Sequence, residues 1–93
     1  MSQNLEYNTI ARKALTQNPQ MVIGQLSPND FDHVANIAAS VMMTRDNYMR
    51  GGSFVQSIVD NDLNQAINRA DDVCVRALKF FVYVKNYKHL NQD

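Results

Sequence analysis

Cysteine is almost absent from this 93-residue chain, which has a single one, Cys74. No internal disulfide can form, so the fold is held by packing and hydrogen bonds alone. Cys74 sits between Val73 and Val75, which marks it as a buried structural thiol; a reactive one needs electropositive, partly exposed surroundings. Arg76 is close in sequence but points elsewhere on a helix. Charge of either sign is not in excess either, because nine basic and nine acidic residues cancel. A general DNA binder needs a cationic surface, so that class is excluded. Long apolar runs are missing too: no segment approaches the roughly 18 apolar residues of a membrane span. The start, Met1-Ser2-Gln3-Asn4-Leu5-Glu6, lacks the charged and then apolar pattern of a signal peptide, so a cytoplasmic location is expected. With one cysteine and two histidines, His33 and His89, no zinc-ligand spacing exists, and both histidines are read as surface residues.

The residues present are enough for one globular domain. The apolar fraction of 45% is that of a folded protein. A chain this short buries only about 60–65% of its unfolded surface, a thin core that oligomers commonly supplement. Only three glycines and two prolines interrupt the chain, and they fall at informative places.

Residues 5–16 read as a first helix, with Ile10, Ala11, Ala14 and Leu15 at helical spacing. Asn18-Pro19 ends it, since proline disfavours helical geometry in the preceding residue. Residues 20–26 fit either a short helical turn or an extended linker. Ser27-Pro28-Asn29-Asp30 is a strong helix start: Ser27 caps, Pro28 suits the first position, and Asp30 complements the dipole. That helix should run to Arg45 and bury Phe31, Val34, Ala35, Ala38, Val41 and Met42. At Arg50-Gly51-Gly52-Ser53 paired glycines free the backbone for left-handed geometry, and Ser53 can cap the next helix. Beyond it, Asn61-Asp62 and Asp71-Asp72 look like restart points. The expectation is short helices at 54–60 and 63–70 and a long one at 72–88, or one continuous helix instead.

In the last segment apolar rows run along Val73, Ala77, Phe80 and Val84 and along Cys74, Leu78 and Phe81, with Val75 and Val82 on a third side. Only Asp72, Arg76, Lys79, Tyr83 and Asn86 form a polar stripe. A helix apolar on most sides must be buried on most sides, so a subunit interface is expected here. The fold class is therefore all-α: a single helical domain over residues 1–93, with four to five helices, a long C-terminal helix and a tendency to oligomerise. Residues 1–26 are the least defined part.

Candidate chemistry is sparse. Ser53 follows two glycines but lies outside a nucleophile elbow. Asp60, Asp62, Asp71 and Asp72 resemble an acidic cluster, yet neighbours one or two apart do not face each other on a helix, and capping explains them. No active site and no cofactor are expected. A helix opened by Arg50-Gly51-Gly52-Ser53 offers free backbone N–H groups to an anion, and Arg50 can clamp a phosphate through two hydrogen bonds. Tyr48 adds a stacking surface beside it. Arg76, Lys79 and Tyr83 place two cations and an aromatic ring on one face, which is otherwise an ordinary solvated face.

The stretch from Gly51-Gly52-Ser53-Phe54 through Asn61-Asp62-Leu63 to Arg69-Ala70-Asp71 resembles a pattern of small phage-encoded helical proteins. The likeness spans residues 48–87, and it departs from the pattern where Asn86-Tyr87 reverses the usual order. Among such proteins the chain resembles the phage anti-CBASS sponges, helical oligomers that sequester cyclic dinucleotide immune signals. That resemblance implies a homo-oligomer of the host cytoplasm that binds a cyclic dinucleotide without cleaving it. It also directs attention to Arg50, Ser53, Asn61, Asp62 and Arg69, polar positions that packing does not explain. Phosphates would take arginines and helix-start N–H groups, bases would stack on tyrosines, and Asp62 would accept from a guanine edge. The competing reading is a phage inhibitor or adaptor that docks on a host protein through the apolar face of residues 73–84. A small virion or assembly component is a third, with no repeat to favour it.

Overall fold

The computed structural model describes residues 3–86, and side chains from Glu6 onward. His89 and the expected end of the last helix at residue 88 lie outside the described residues. Among those described, the protein is all-helical and has no strand. Six helices follow in order: α1 Gln3–Gln17, α2 Pro28–Arg45, α3 Ser53–Val59, α4 Leu63–Arg69, α5 Asp72–Arg76 and α6 Leu78–Asn86.

The two long N-terminal helices form the base of the fold. α1 packs along α2, and both bury alanines (Ala11 and Ala14 on one, Ala35, Ala38 and Ala39 on the other). Small side chains allow close approach of backbones. At the end of α1, Asn18 Nδ2 donates to the Ala14 carbonyl at 2.8 Å, which satisfies an otherwise open acceptor. The segment 20–26 contains both expected options. A short 3-10 turn, Pro19–Met21, gives way to extended backbone at Val22, which is buried.

α2 starts as expected. Ser27 accepts the Asp30 N–H at 3.1 Å with Pro28 in the first turn, a cap worth about 1 kcal/mol. Its apolar stripe is buried through Val34, Ala35, Ala38, Val41 and Met42. Phe31 departs from the expectation. It is only half-buried, with the Arg12 guanidinium 5.8 Å from its ring centroid.

Asparagines, rather than glycines, stop α2 and α3. Asn47 has φ +65° and Asn61 φ +63°, the left-handed geometry of a helix C-terminus. In each case the next residue reaches back to complete a Schellman pattern: Tyr48 N–H to Met43 O at 2.9 Å, and Asp62 N–H to Ser57 O at 2.9 Å. Asn61 is thus the stop and Asp62 the restart, its carboxylate accepting the Gln65 N–H at 3.2 Å. Asp71 does the same for α5, accepting from the Cys74 N–H at 2.8 Å.

The expected helix 72–88 is broken at Ala77, whose φ of −103° and ψ of 10° leave helical geometry. Ala77 N–H is shared between Val73 O and Cys74 O, and Phe81 N–H still bonds Ala77 O at 3.1 Å. The helix is locally tightened and resumes. Alanine itself favours helix, so the break comes from packing: Ala77 is fully buried, and α6 is held against both α2 and α3. The apolar sides of this segment are covered by the chain itself. Cys74, Ala77, Phe80, Phe81 and Val84 are buried, Phe54 meets Phe81 edge-on at 5.6 Å, and Val75 alone of the segment's large apolar residues is exposed. Much of the burial that points to a subunit interface here is met within one copy, while Val75 stays exposed and Val82 half-buried on the third side.

Candidate functional site

The loop after α2, the outer face of α3 and both ends of α4 enclose an open cleft of about 380 Å³. Arg50, Gly51, Ser53, Asp62 and Arg69 line it together with Gln56, Ser57 and Asp60. The periodicity of α3 produces this wall: Ser53, Gln56, Ser57 and Asp60 recur at intervals of three, one and three residues, one polar face opposite the buried Val55 and Ile58. Gln56, Ser57 and Asp60 are not among the ligand residues expected from the sequence, although their polar stripe is readable there. A second cleft of about 480 Å³ abuts the first, sharing Arg50, Gln56 and Asp60 and adding Thr44, Arg45, Asn47, Met49 and Val59. The buried Thr44 hydroxyl has no hydrogen-bond partner among the described residues.

Several polar groups of the cleft are only partly engaged. Arg69 Nε donates to Gln65 Oε1 at 2.9 Å, leaving its terminal nitrogens open to the cleft. Asp62 spends one oxygen on its cap, and Asp60 accepts from Gln56 Nε2 at 3.2 Å. No hydrogen bond or ion pair holds the Arg50 guanidinium among the described residues. Two arginines and two aspartates leave the cleft neutral, so an anion here would be recognised by directed hydrogen bonds rather than by an attractive field.

Other expected site residues lie elsewhere. Gly52, not Ser53, is the N-cap of α3, in extended geometry (φ −66°, ψ 177°) and with no side-chain cap bond. The helix starts one residue earlier than a capping Ser53 requires. Neither Gly51 nor Gly52 has positive φ; Gly24 at φ +79° is the glycine that does. Gly51 is required by packing, since a Cβ there would overlap Val55 and come within 2.8 Å of Thr44 Oγ1. Gly52 has open space around it. Tyr48 is exposed in the loop, its ring 5.9 Å from that of Tyr7. Asn61 accepts from Lys85 Nζ at 2.6 Å.

Arg76 and Tyr83 do not form a free face. Arg76 Nη1 donates to the carbonyls of Ile23 at 3.1 Å and Gln25 at 3.3 Å, and the guanidinium lies 3.8 Å from Asp30. It fastens the linker after α1 to α5. The Tyr83 ring stacks on Phe80, with centroids 6.5 Å apart.

Away from the cleft, three side chains meet that sequence spacing does not connect. His33 Nε2 lies 3.1 Å from Asp71 Oδ2 and 3.8 Å from Cys74 Sγ. Burial, reinforced by the neighbouring Asp71 carboxylate, pushes the Cys74 thiol up to about 12. The Asp71 carboxyl is held below its usual range, chiefly by the hydrogen bond from the Cys74 N–H. Both Cys74 and Asp71 address the same imidazole nitrogen, which is not the relay of a nucleophilic cysteine, where base and orienting carboxylate occupy opposite ring nitrogens. Comparison with family models, curated proteins and solved structures finds no match for this chain.

Proposed function

We propose that this protein is a phage anti-defence protein that binds a cyclic dinucleotide in the Arg50–Arg69 cleft and sequesters it intact. The convergence of Arg50, Ser53, Asp62 and Arg69 on one cleft supports this most directly, because the family resemblance points to these residues independently of the geometry. A free guanidinium can grip a phosphate with two parallel bonds, and Arg50 has no competing partner among the described residues. Ser53 and Gln56 supply neutral donors, and the second oxygen of Asp62 can accept from a guanine edge. Tyr48 stands next to the loop as a stacking surface.

Cleft size bears on assembly. At about 380 Å³ it is near the lower end of the range of about 300–1,000 Å³ for small-molecule sites, room for one half of a cyclic dinucleotide. A two-fold ligand is matched by two copies related by two-fold symmetry, each holding one phosphate and one base. Leu63 and Ile67, about half exposed and one turn apart on α4, and the exposed Tyr48 and Met49 beside Arg50 provide apolar flanks for a second copy. No described helix is long and apolar enough to cross a membrane. Sequestration in the host cytoplasm, where such signals are made, requires none.

A thermal-shift titration against cyclic di- and trinucleotides, with linear nucleotides as controls, tests the reading. One cyclic species should raise the melting temperature by several degrees, through mass action on the folded state. Ligand released by heat must be intact; hydrolysed product would refute passive sequestration. No shift with any of them would instead favour a host-protein partner.

A further inference from the structure

We propose that His33, Asp71 and Cys74 form a binding site for a divalent transition-metal ion of the zinc type, separate from the Arg50–Arg69 cleft. Three different donor types converge from two helices: an imidazole from the second turn of α2, a carboxylate from the N-cap of α5, and a thiol from its first turn. One ligand atom of each lies within 4.8 Å of the other two. Zinc binds nitrogen and oxygen at about 2.0–2.2 Å and sulfur at about 2.3 Å, so tetrahedral ligand atoms stand about 3.3–3.6 Å apart. The observed separations of 3.1 Å (nitrogen to oxygen) and 3.8 Å (nitrogen to sulfur) bracket that spacing. The third pair, the Asp71 oxygen and the Cys74 sulfur, also lies within 4.8 Å, so side-chain adjustment brings all three donors to one ion.

The surroundings are also those of a metal site. Asp71 Oδ1 is held by the Cys74 N–H at 2.8 Å, which orients the carboxylate and leaves Oδ2 toward the imidazole. Cys74 is buried, giving the sulfur a fixed position, while the His33 and Asp71 side chains are 43% and 58% exposed. A fourth position therefore faces solvent and can take water. A soft thiolate with imidazole and carboxylate selects zinc or cobalt over calcium or magnesium, which prefer oxygen alone. A plain His33–Asp71 ion pair accounts for the 3.1 Å contact but not for Cys74 Sγ converging on the same nitrogen. On binding, the thiol loses its proton to solvent and the sulfur–metal bond forms, with no change in oxidation state.

Titration of the full-length, reduced protein with Co(II) alone tests the site. A thiolate-to-cobalt charge-transfer absorption with the visible bands of tetrahedral cobalt should saturate at one equivalent per chain and be displaced by Zn(II). Cys74→Ser should remove the charge-transfer band. Because Cys74 is buried and its variant can fail to fold, His33→Gln and Asp71→Asn serve as the second arm. Both side chains are about half exposed, and asparagine retains the cap. Each should weaken Co(II) binding at least about tenfold with the helical circular dichroism unchanged. Absence of the charge-transfer band in the native protein, or its persistence at native affinity in both variants, overturns the proposal.

Discussion

Arg45 Nη1 donates to the Val84 carbonyl at 2.8 Å, which ties the last turn of α2 to the backbone of α6. The same guanidinium forms a two-pronged pair with Asp46, at 2.7 and 2.8 Å, and Asp46 in turn accepts from the Tyr7 hydroxyl at 2.6 Å. One chain of hydrogen bonds thereby links α1, α2 and α6 behind the loop that carries Arg50. Arg45 is nearly buried, its side chain 8% exposed, so the network works in a low-dielectric setting.

Arg45→Ala should destabilise the fold by about 3 kcal/mol, the lower end for removing one member of a buried pair, since Asp46 keeps some solvent contact. Tyr7→Phe removes the hydroxyl that donates to the Asp46 carboxylate and should cost about 1.5–3 kcal/mol. Urea unfolding of both variants checks the order. If Arg45→Ala matched the native midpoint, the network would be ornamental to stability.

The two loop glycines should behave oppositely. Gly51→Ala forces a Cβ against Val55 and Thr44 and should cost about 1–3 kcal/mol. Gly52→Ala meets open space in a backbone geometry that any residue adopts, and should stay within about 0.5 kcal/mol of native stability. Melting curves separate the two. With Gly52→Ala folded, any loss of nucleotide binding would report close approach of ligand to that backbone.

Alkaline pH should erode stability through Cys74. Its folded-state value is raised from 9.0 to about 12, so the folded protein keeps a proton that the unfolded chain releases. The stabilisation is complete below pH 9 and is lost progressively as pH rises toward about 12. Tyr7, raised by burial and by its bond to Asp46, adds to the same decline above pH 10. Denaturation midpoints of native protein and Cys74→Ala should therefore converge as pH climbs from 9, and a constant gap between them would contradict this account.

Within the cleft, Arg50→Ala should abolish the ligand-induced thermal shift without lowering the melting temperature of the free protein, because no described residue bonds Arg50. Arg69→Ala should weaken binding and also lose its contact with Gln65, a helix pair worth about 0.2–0.5 kcal/mol. Calorimetric titration with the nucleotide found in the thermal screen measures both. Native affinity in Arg50→Ala would place the ligand elsewhere.

The chain alone makes legible the features that local physics controls. Ser27, Asp62 and Asp71 cap helices because a short oxygen-bearing side chain meets N–H groups three residues on, whatever surrounds them. The apolar period of α2 and the all-helical class are equally local. The polar residues of the cleft are legible in part, since Arg50, Ser53, Asp62 and Arg69 sit in one recognisable stretch. Contacts between distant segments are not. Arg76 reads as part of a solvated stripe, yet the fold lays the linker carbonyls of Ile23 and Gln25 beside it. Ala77 breaks a helix that its own propensity favours, because burial against the body of the protein outweighs one strained turn. His33 meets Asp71 and Cys74 across 38 and 41 residues, a separation that no motif spacing encodes. Local hydrogen bonding is written in neighbouring residues, whereas which side chains of different helices share a site is decided by how those helices pack.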